Sequence, residues 1–147
     1  MLKTIFSHVA VSCKDPVRLE RFYTKYFGFK RARVYSPGPD QVVMIKSGQI
    51  YLELFKATQD PLTPPPTDSG PLYPSWKHIC FLVDDLDLKL RKLGDAVTIT
   101  LGPSDMGQFV PGMKVCWIAD PEDNIVELNQ GYRDEEDPPQ LAEGGDL

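Results

Sequence analysis

The chain contains two histidines, His8 and His78, and each opens the same kind of phrase: His8-Val9-Ala10-Val11-Ser12-Cys13-Lys14-Asp15 and His78-Ile79-Cys80-Phe81-Leu82-Val83-Asp84-Asp85. In a strand of period two, His78, Cys80 and Leu82 share one face while Ile79, Phe81 and Val83 share the other, so the histidine looks away from a uniformly apolar face that builds core. Two glutamates recur in the same way, in Ile50-Tyr51-Leu52-Glu53-Leu54 and Asn124-Ile125-Val126-Glu127-Leu128. Both interrupt strands that would otherwise bury apolar side chains, and a carboxylate there costs several kcal/mol unless it has a partner. Two imidazoles and two carboxylates together form a donor set for a divalent ion: zinc, nickel, cobalt, manganese or iron(II). The spacing is not a local metal motif, and a lone strand histidine is ordinarily a hydrogen-bonded structural residue. The information lies in the repetition of all four.

The elements that must position these residues also repeat. Residues 5–13 alternate as a strand, and Asp15-Pro16 then starts a helix, with Asp15 as N-cap and Pro16 at the first helical position. Leu19, Phe22, Tyr23 and Tyr26 give that helix an apolar face, and Gly28 ends it. Phe29–Tyr35, Gln41–Lys46 and Gln49–Phe55 read as a three-stranded meander with turns at Ser36–Asp40 and Ser47-Gly48. Residues 58–75 are proline-rich and offer neither ladder donors nor a helix, so they are read as a linker. Beyond it the order returns: a strand at 78–83, Asp84-Asp85 as a cap, and a helix with Leu86, Leu88, Leu90 and Leu93 ended by Gly94. Strands follow near Ala96–Thr100, at Met113–Ala119 and at Ile125–Asn129, separated by turns at Gly102–Gly107 and Asp120–Asn124.

The expected fold class is therefore α+β: two paired βαβββ modules, at about 5–57 and 76–132, forming a cupped mixed sheet within a single domain spanning 1–135. An internal duplication is the simplest account, since one module leaves a sheet face uncovered and pairing covers it. Pairing about a pseudo-two-fold axis is expected to bring His8 to His78 and Glu53 to Glu127. Residues 136–147 are read as an acidic flexible tail.

Composition narrows the partners. The 147 residues are 41% hydrophobic and 25% charged, as in a globular protein, and the net charge of −5 with no basic run argues against nucleic acid. No apolar run approaches a membrane span, and the start of the chain lacks the pattern of a secretory signal, so a cytoplasmic location and no membrane partner are expected. Cys13, Cys80 and Cys116 sit in expected strands at no metal-binding spacing and are read as reduced, buried thiols. Trp76 and Trp117 are expected in the core or the wall of the cup.

On these residues the sequence resembles the vicinal oxygen chelate superfamily, which includes glyoxalase I, methylmalonyl-CoA epimerase, extradiol dioxygenases and the fosfomycin and bleomycin resistance proteins. The motifs that carry the resemblance are the histidine ahead of Asp15-Pro16, Phe22-Tyr23 and Phe27-Gly28-Phe29, His78 ahead of Val83-Asp84-Asp85, and the closing Asp120-Pro121-Glu122-Asp123-Asn124-Ile125-Val126-Glu127-Leu128. The resemblance implies a homodimer, a divalent metal held by His8, Glu53, His78 and Glu127, and a small carbonyl substrate. Of the family's ligand sets, two histidines with two glutamates look most like glyoxalase I, a lyase; dioxygenases and fosfomycin-type transferases generally use one glutamate. Where glyoxalases of this length place an arginine and an asparagine against glutathione, this chain has Ser12 and Ala57, so glutathione is not implied. Arg18, Arg31 and Arg33 are the alternatives for an anionic group, each more simply a surface residue.

A divalent ion holding two adjacent oxygens lowers the energy of an enediolate, because negative charge forms against a cation that needs no reorganisation. Glu127 or Glu53 would act as base on the carbon alpha to the carbonyl, Glu127 being favoured by the resemblance. Two rival readings follow from the same family. One is a metal-free binder of the bleomycin-resistance type using Tyr51, Phe55, Trp76 and Phe109. The other is an iron-dependent ring-cleaving dioxygenase. The stretch Gly102–Gly112 is read as a lid.

Overall fold

The computed structural model describes residues 3–142. Residues 1–2 of the expected domain and 143–147 of the expected tail lie outside the described residues. The element order is β1 (Val9–Cys13), α1 (Pro16–Phe27), β2 (Lys30–Tyr35), β3 (Val42–Ser47), β4 (Ile50–Lys56), β5 (Ile79–Leu82), α2 (Leu86–Leu93), a 3₁₀ turn (Gly94–Ala96), β6 (Thr98–Asp105), β7 (Lys114–Ala119) and β8 (Ile125–Gln130). These strands make two four-stranded sheets of the same topology, β1-β4-β3-β2 and β5-β8-β7-β6. In each, the first strand pairs in parallel with the last. The duplication is visible in the pairing itself.

The local chemistry of each module follows its sequence. Asp15 accepts from the amides of Val17 and Arg18 at 3.0 Å each, and Gly28, at φ +70°, closes α1 in a conformation that a Cβ would disfavour. Asp85 caps α2 through the Leu88 amide at 2.8 Å. Leu19, Phe22 and Tyr23 of α1 and Leu86 and Leu93 of α2 are buried against Val43, Ile45, Leu52 and Leu54 of the first sheet and Cys116, Ile118, Val126 and Leu128 of the second. All lie in one core, and each such large apolar side chain contributes about 1.5–3 kcal/mol. Phe81 of β5 joins the modules, with its ring 4.7 Å from Phe27, 6.0 Å from Phe29 and 6.3 Å from Tyr23.

Polar contacts fasten the same seam. Tyr23 donates to the buried carboxylate of Asp120 at 2.9 Å. Glu122 accepts from the amides of Lys14 and Asp15, at 2.7 and 3.2 Å, just ahead of α1. Lys89 of α2 donates to the Tyr26 carbonyl, and its ammonium lies 4.1 Å from the centre of the Phe27 ring.

Four expectations need correction. β1 and β5 begin one residue after their histidines, so residues 5–8 are not strand and each imidazole stands at a strand entrance. β6 runs on to Asp105 through the expected turn at Gly102-Pro103, because register shifts on either side of Leu101 absorb the proline that cannot donate to the ladder. Trp76 is 95% exposed on the linker, whereas Trp117 is buried. Cys80 is exposed, since position 80 falls on the face away from the helices.

Candidate functional site

The helix-covered faces of both sheets are spent on the core, so chemistry falls to the opposite faces. In the first module, strand register lines up Ala10, Glu53, Met44 and Arg33 across the sheet. In the second, Cys80, Glu127, Trp117 and Leu101 form the corresponding row. Each row is headed by its histidine. His8 Nε2 lies 3.1 Å from Glu53 Oε2, and His78 Nε2 lies 2.8 Å from Glu127 Oε2. The structure thus corrects the expectation that His8 meets His78 and Glu53 meets Glu127 within one chain: it joins the four residues as two separate pairs, because the faces that meet in the shared core are the helix-covered ones and not those that carry the histidines. Among the described residues no third His, Cys, Asp or Glu completes a metal-holding group with either pair within one chain.

The two pairs differ in what surrounds them. The Nδ1 atom of His78 lies 2.7 Å from the backbone carbonyl of Ser69, which can only accept, so Nδ1 must carry a proton. With Nδ1–H committed, a neutral His78 presents a lone pair from Nε2 straight at a carboxylate oxygen. Something positive, a proton or a metal cation, must lie between them. His8 is less constrained, because its Nδ1 meets the Ser7 hydroxyl at 2.9 Å, and a hydroxyl can donate or accept. His8 can therefore place its own N–H against Glu53 and be satisfied. The donor chemistry fits a divalent ion, most strongly at the second pair.

Glu127 is further held by Asn129, whose Nδ2 donates to Oε1 at 3.0 Å. The Asn129 amide cannot be turned around, because its Oδ1 accepts from the Tyr132 amide at 3.2 Å. Period two places Asn129 on the face of Glu127, a signal the sequence contained. Beside the pair, Trp117 stands edge-on to the His78 ring at 6.3 Å, and its buried Nε1 has no hydrogen-bond partner. Among the described residues this buried indole donor is left unsatisfied, which is rare enough in a folded chain to mark the surroundings of the pair. Although Cys80 is exposed as a residue, partial desolvation of its sulfur against the sheet, and then the Glu127 carboxylate, push the thiol up to about 12, so it is a neutral neighbour rather than a thiolate. Met106, from the stretch read as a lid, and Met113 just beyond it pack on Val115, Trp117 and Ile125.

The first pair opens on a hollow of about 630 Å³ whose lining includes Phe6, Ser7, His8, Arg33, Lys46 and Tyr51. Of the three arginines considered for an anion, Arg31 is engaged by Glu20 at 3.0 Å, and Arg33 is the one that lines this hollow. Trp76 and Phe109, expected in the cup, are exposed, at 95% and 72%. No helix among the described residues is long and apolar enough to cross a membrane.

Two βαβββ modules, each presenting a histidine and a glutamate from the first and last strands of its sheet, define a class of small-molecule-binding domain. The family model for the glyoxalase/bleomycin resistance protein/dioxygenase superfamily matches residues 5–128, and the chain belongs to that superfamily. A glyoxalase family protein from Enterococcus faecalis is similar over 88% of this chain and 99% of its own, with a TM-score of 0.66 and 24% identity. The antibiotic-binding protein TnmS3 from Streptomyces sp. CB03234 is similar over 90% of this chain and 99% of its own (TM-score 0.60, 19% identity). The fosfomycin resistance protein FosX from Listeria monocytogenes, in complex with Mn(II) and sulfate, is similar over 89% and 95% (TM-score 0.62, 12% identity). No curated protein matches the sequence significantly. Members of the superfamily commonly use divalent metals, and they include many enzymes alongside non-enzymatic binders.

Proposed function

We propose that the protein is a divalent-metal-dependent lyase or isomerase of the glyoxalase I-like type, which moves a proton alpha to a carbonyl in a small oxygenated substrate. The observation that carries this reading is the His78 to Glu127 contact, where a committed Nδ1–H leaves two electron-rich atoms 2.8 Å apart. His8, Glu53, His78 and Glu127 would hold the ion, which supplies Lewis-acid stabilisation of negative charge on substrate oxygen. Since one chain offers the ligands as two separate pairs, a homodimer in which the first module of one copy faces the second module of the other would assemble the full set. The faces that would close this cup expose Tyr35, Phe55, Leu82 and Leu101, apolar surface that a second copy would cover.

The protein's own groups divide the remaining work. Glu127 is pinned through both oxygens, by His78 and by an amide that cannot turn, so it suits a fixed ligand. Glu53 has His8 alone, which leaves it free to swing to a substrate carbon, take the proton and return it. This reverses the preference that family resemblance gives to Glu127. Arg33 and Lys46 would receive an anionic or oxygen-rich end of the substrate, while Trp117 and Leu101 would face its apolar part.

The test is elemental analysis of protein purified without added metal, followed by zinc, nickel or manganese titration with the oligomeric state measured alongside. Mixing a His8→Ala chain with a His78→Ala chain should restore one intact site per mixed dimer, and with it part of the metal uptake. A protein that takes up no metal under any of these conditions would sink this reading and favour the metal-free binder. The exposed aromatics Tyr35 and Phe55, and the likeness to an antibiotic-binding protein, give that alternative its support.

A further inference from the structure

The proline-rich stretch between the modules does more than span a gap. It carries no helix or strand, yet Gly70 within it is buried. Its path is set by a turn in which the Gly70 amide donates to the Thr67 carbonyl at 3.0 Å, with Asp68 at φ +53° and Gly70 at φ +114°. From β6, the Thr100 hydroxyl donates to the Asp68 carbonyl at 2.7 Å. Lys77 closes the far side by donating to the Pro71 carbonyl at 2.9 Å. The outcome of these contacts is a single carbonyl, that of Ser69, placed 2.7 Å from His78 Nδ1. Only glycine fits at the next position: a Cβ on residue 70 would stand 2.3 Å from the Lys77 backbone oxygen, one residue ahead of His78. That neighbour is main chain and has no flexible end to move aside.

We infer that Ser69 and Gly70 are positioning residues for the second half of the site: the linker acts as a strap whose carbonyl holds the proton on His78 Nδ1 and so directs Nε2 at Glu127. The inference rests on the metal reading only for its purpose, since the strap itself is defined by contacts within the chain. A metal-ligating imidazole needs its second nitrogen held, and such an outer contact is typically worth about 10–100-fold in metal affinity. Among the described residues His8 has no strap, only the hydroxyl of the residue before it, and its side chain is 35% exposed against 19% for His78. The two imidazoles are therefore held unequally, the second by backbone and the first by a rotatable side chain.

The chain's two imidazoles can be separated in proton–nitrogen correlation spectra of isotopically labelled protein, with His8→Gln providing the assignment. In both metal-free and zinc-loaded protein, His78 Nδ1 should be protonated and its proton should exchange slowly with water, while the His8 ring proton exchanges fast. Gly70→Ala should speed exchange at His78 alone and weaken zinc binding by about ten-fold. Thr100→Val, which removes the tether of the strap and leaves the glycine in place, should act in the same direction more weakly and decides the matter if Gly70→Ala does not fold. A wild-type His78 with no proton on Nδ1, or exchange there that no folded variant alters, would overturn the inference. The zinc titration separates the two readings. A protected Nδ1 proton without zinc uptake removes the metal and keeps the strap, whereas zinc uptake with an unprotected nitrogen removes the strap and keeps the metal.

Discussion

Set side by side, the two modules share a backbone plan and differ in what fills it. Both place a histidine at the entrance of the first strand and a glutamate opposite that strand in the last. Around Glu53 the row is Ala10, Met44 and Arg33, with one histidine contact and an open cationic hollow. Around Glu127 it is Cys80, Trp117 and Leu101, with an oriented amide, an unpaired indole and a histidine held by the main chain. Register fixes where a ligand stands, while its neighbours decide how firmly it stands there. Glu127 is held through both of its oxygens, and Glu53 through one.

The sharpest way to break that contrast is a pair of isosteric variants. Glu53→Gln should lower turnover by about 10²–10⁴ while the metal stays bound, and Glu127→Gln should chiefly release the metal. Solvent deuterium incorporation alpha to the substrate carbonyl and metal content read the two effects. The opposite pattern would assign the mobile base to the second module.

Next in size is a test of equivalence rather than difference. Leu54 and Leu128 hold matching, fully buried positions in β4 and β8. Truncating either to alanine should cost about 2–5 kcal/mol in urea unfolding, with a single transition in each case. Two separate transitions would mean that the modules are not one cooperative unit.

A smaller effect probes the seam. Glu122→Ala removes the acceptor of two amides ahead of α1 and should cost about 0.5–2 kcal/mol, as loss of a helix cap does. Gln49→Ala, in the corresponding turn of the first module, should change the unfolding midpoint little.

The smallest expected effect depends on pH. Burial raises the Asp120 pKa above its ordinary 3.8, although hydrogen bonds from Asn124, the Glu122 amide and Tyr23 pull the other way. The folded state then binds more protons than the unfolded one between 3.8 and the raised value. The contribution from this group is fully present below 3.8 and is lost as pH rises through the folded value. Relative to Asp120→Asn, the wild type should gain urea stability as the solution is acidified through that window. The opposite slope would show that the hydrogen bonds outweigh burial.

Much of this was legible in the residues. Asp15-Pro16, Gly28 and Asp85 mark their helix ends, and the repeated wording around His8 and His78, and around Glu53 and Glu127, singles out the four residues that meet as two histidine–glutamate pairs. What the wording could not carry is how the modules turn toward each other. Alternation gives each strand two faces, but it does not say whether two like faces meet within one chain. The exposure of Trp76 escaped for a related reason, since a residue on a linker has no period to place it. β6 was read short because Gly102-Pro103 is turn chemistry in sequence and an irregular stretch of strand in space. The Ser69 contact escaped altogether, because a carbonyl leaves no mark on residue type and only Gly70 hinted at a close approach.

The turn between β7 and β8 has a final consequence. It has five residues, Asp120 to Asn124, and reaches the neighbouring module through Asp120 and Glu122, while its counterpart at Gly48-Gln49 is a two-residue reversal. The two halves are thus not interchangeable. A synthetic tandem of two first halves would lose this bolt entirely, and one of two second halves would carry the turn without the tyrosine that Asp120 accepts from, so each half supplies a part that the other cannot replace.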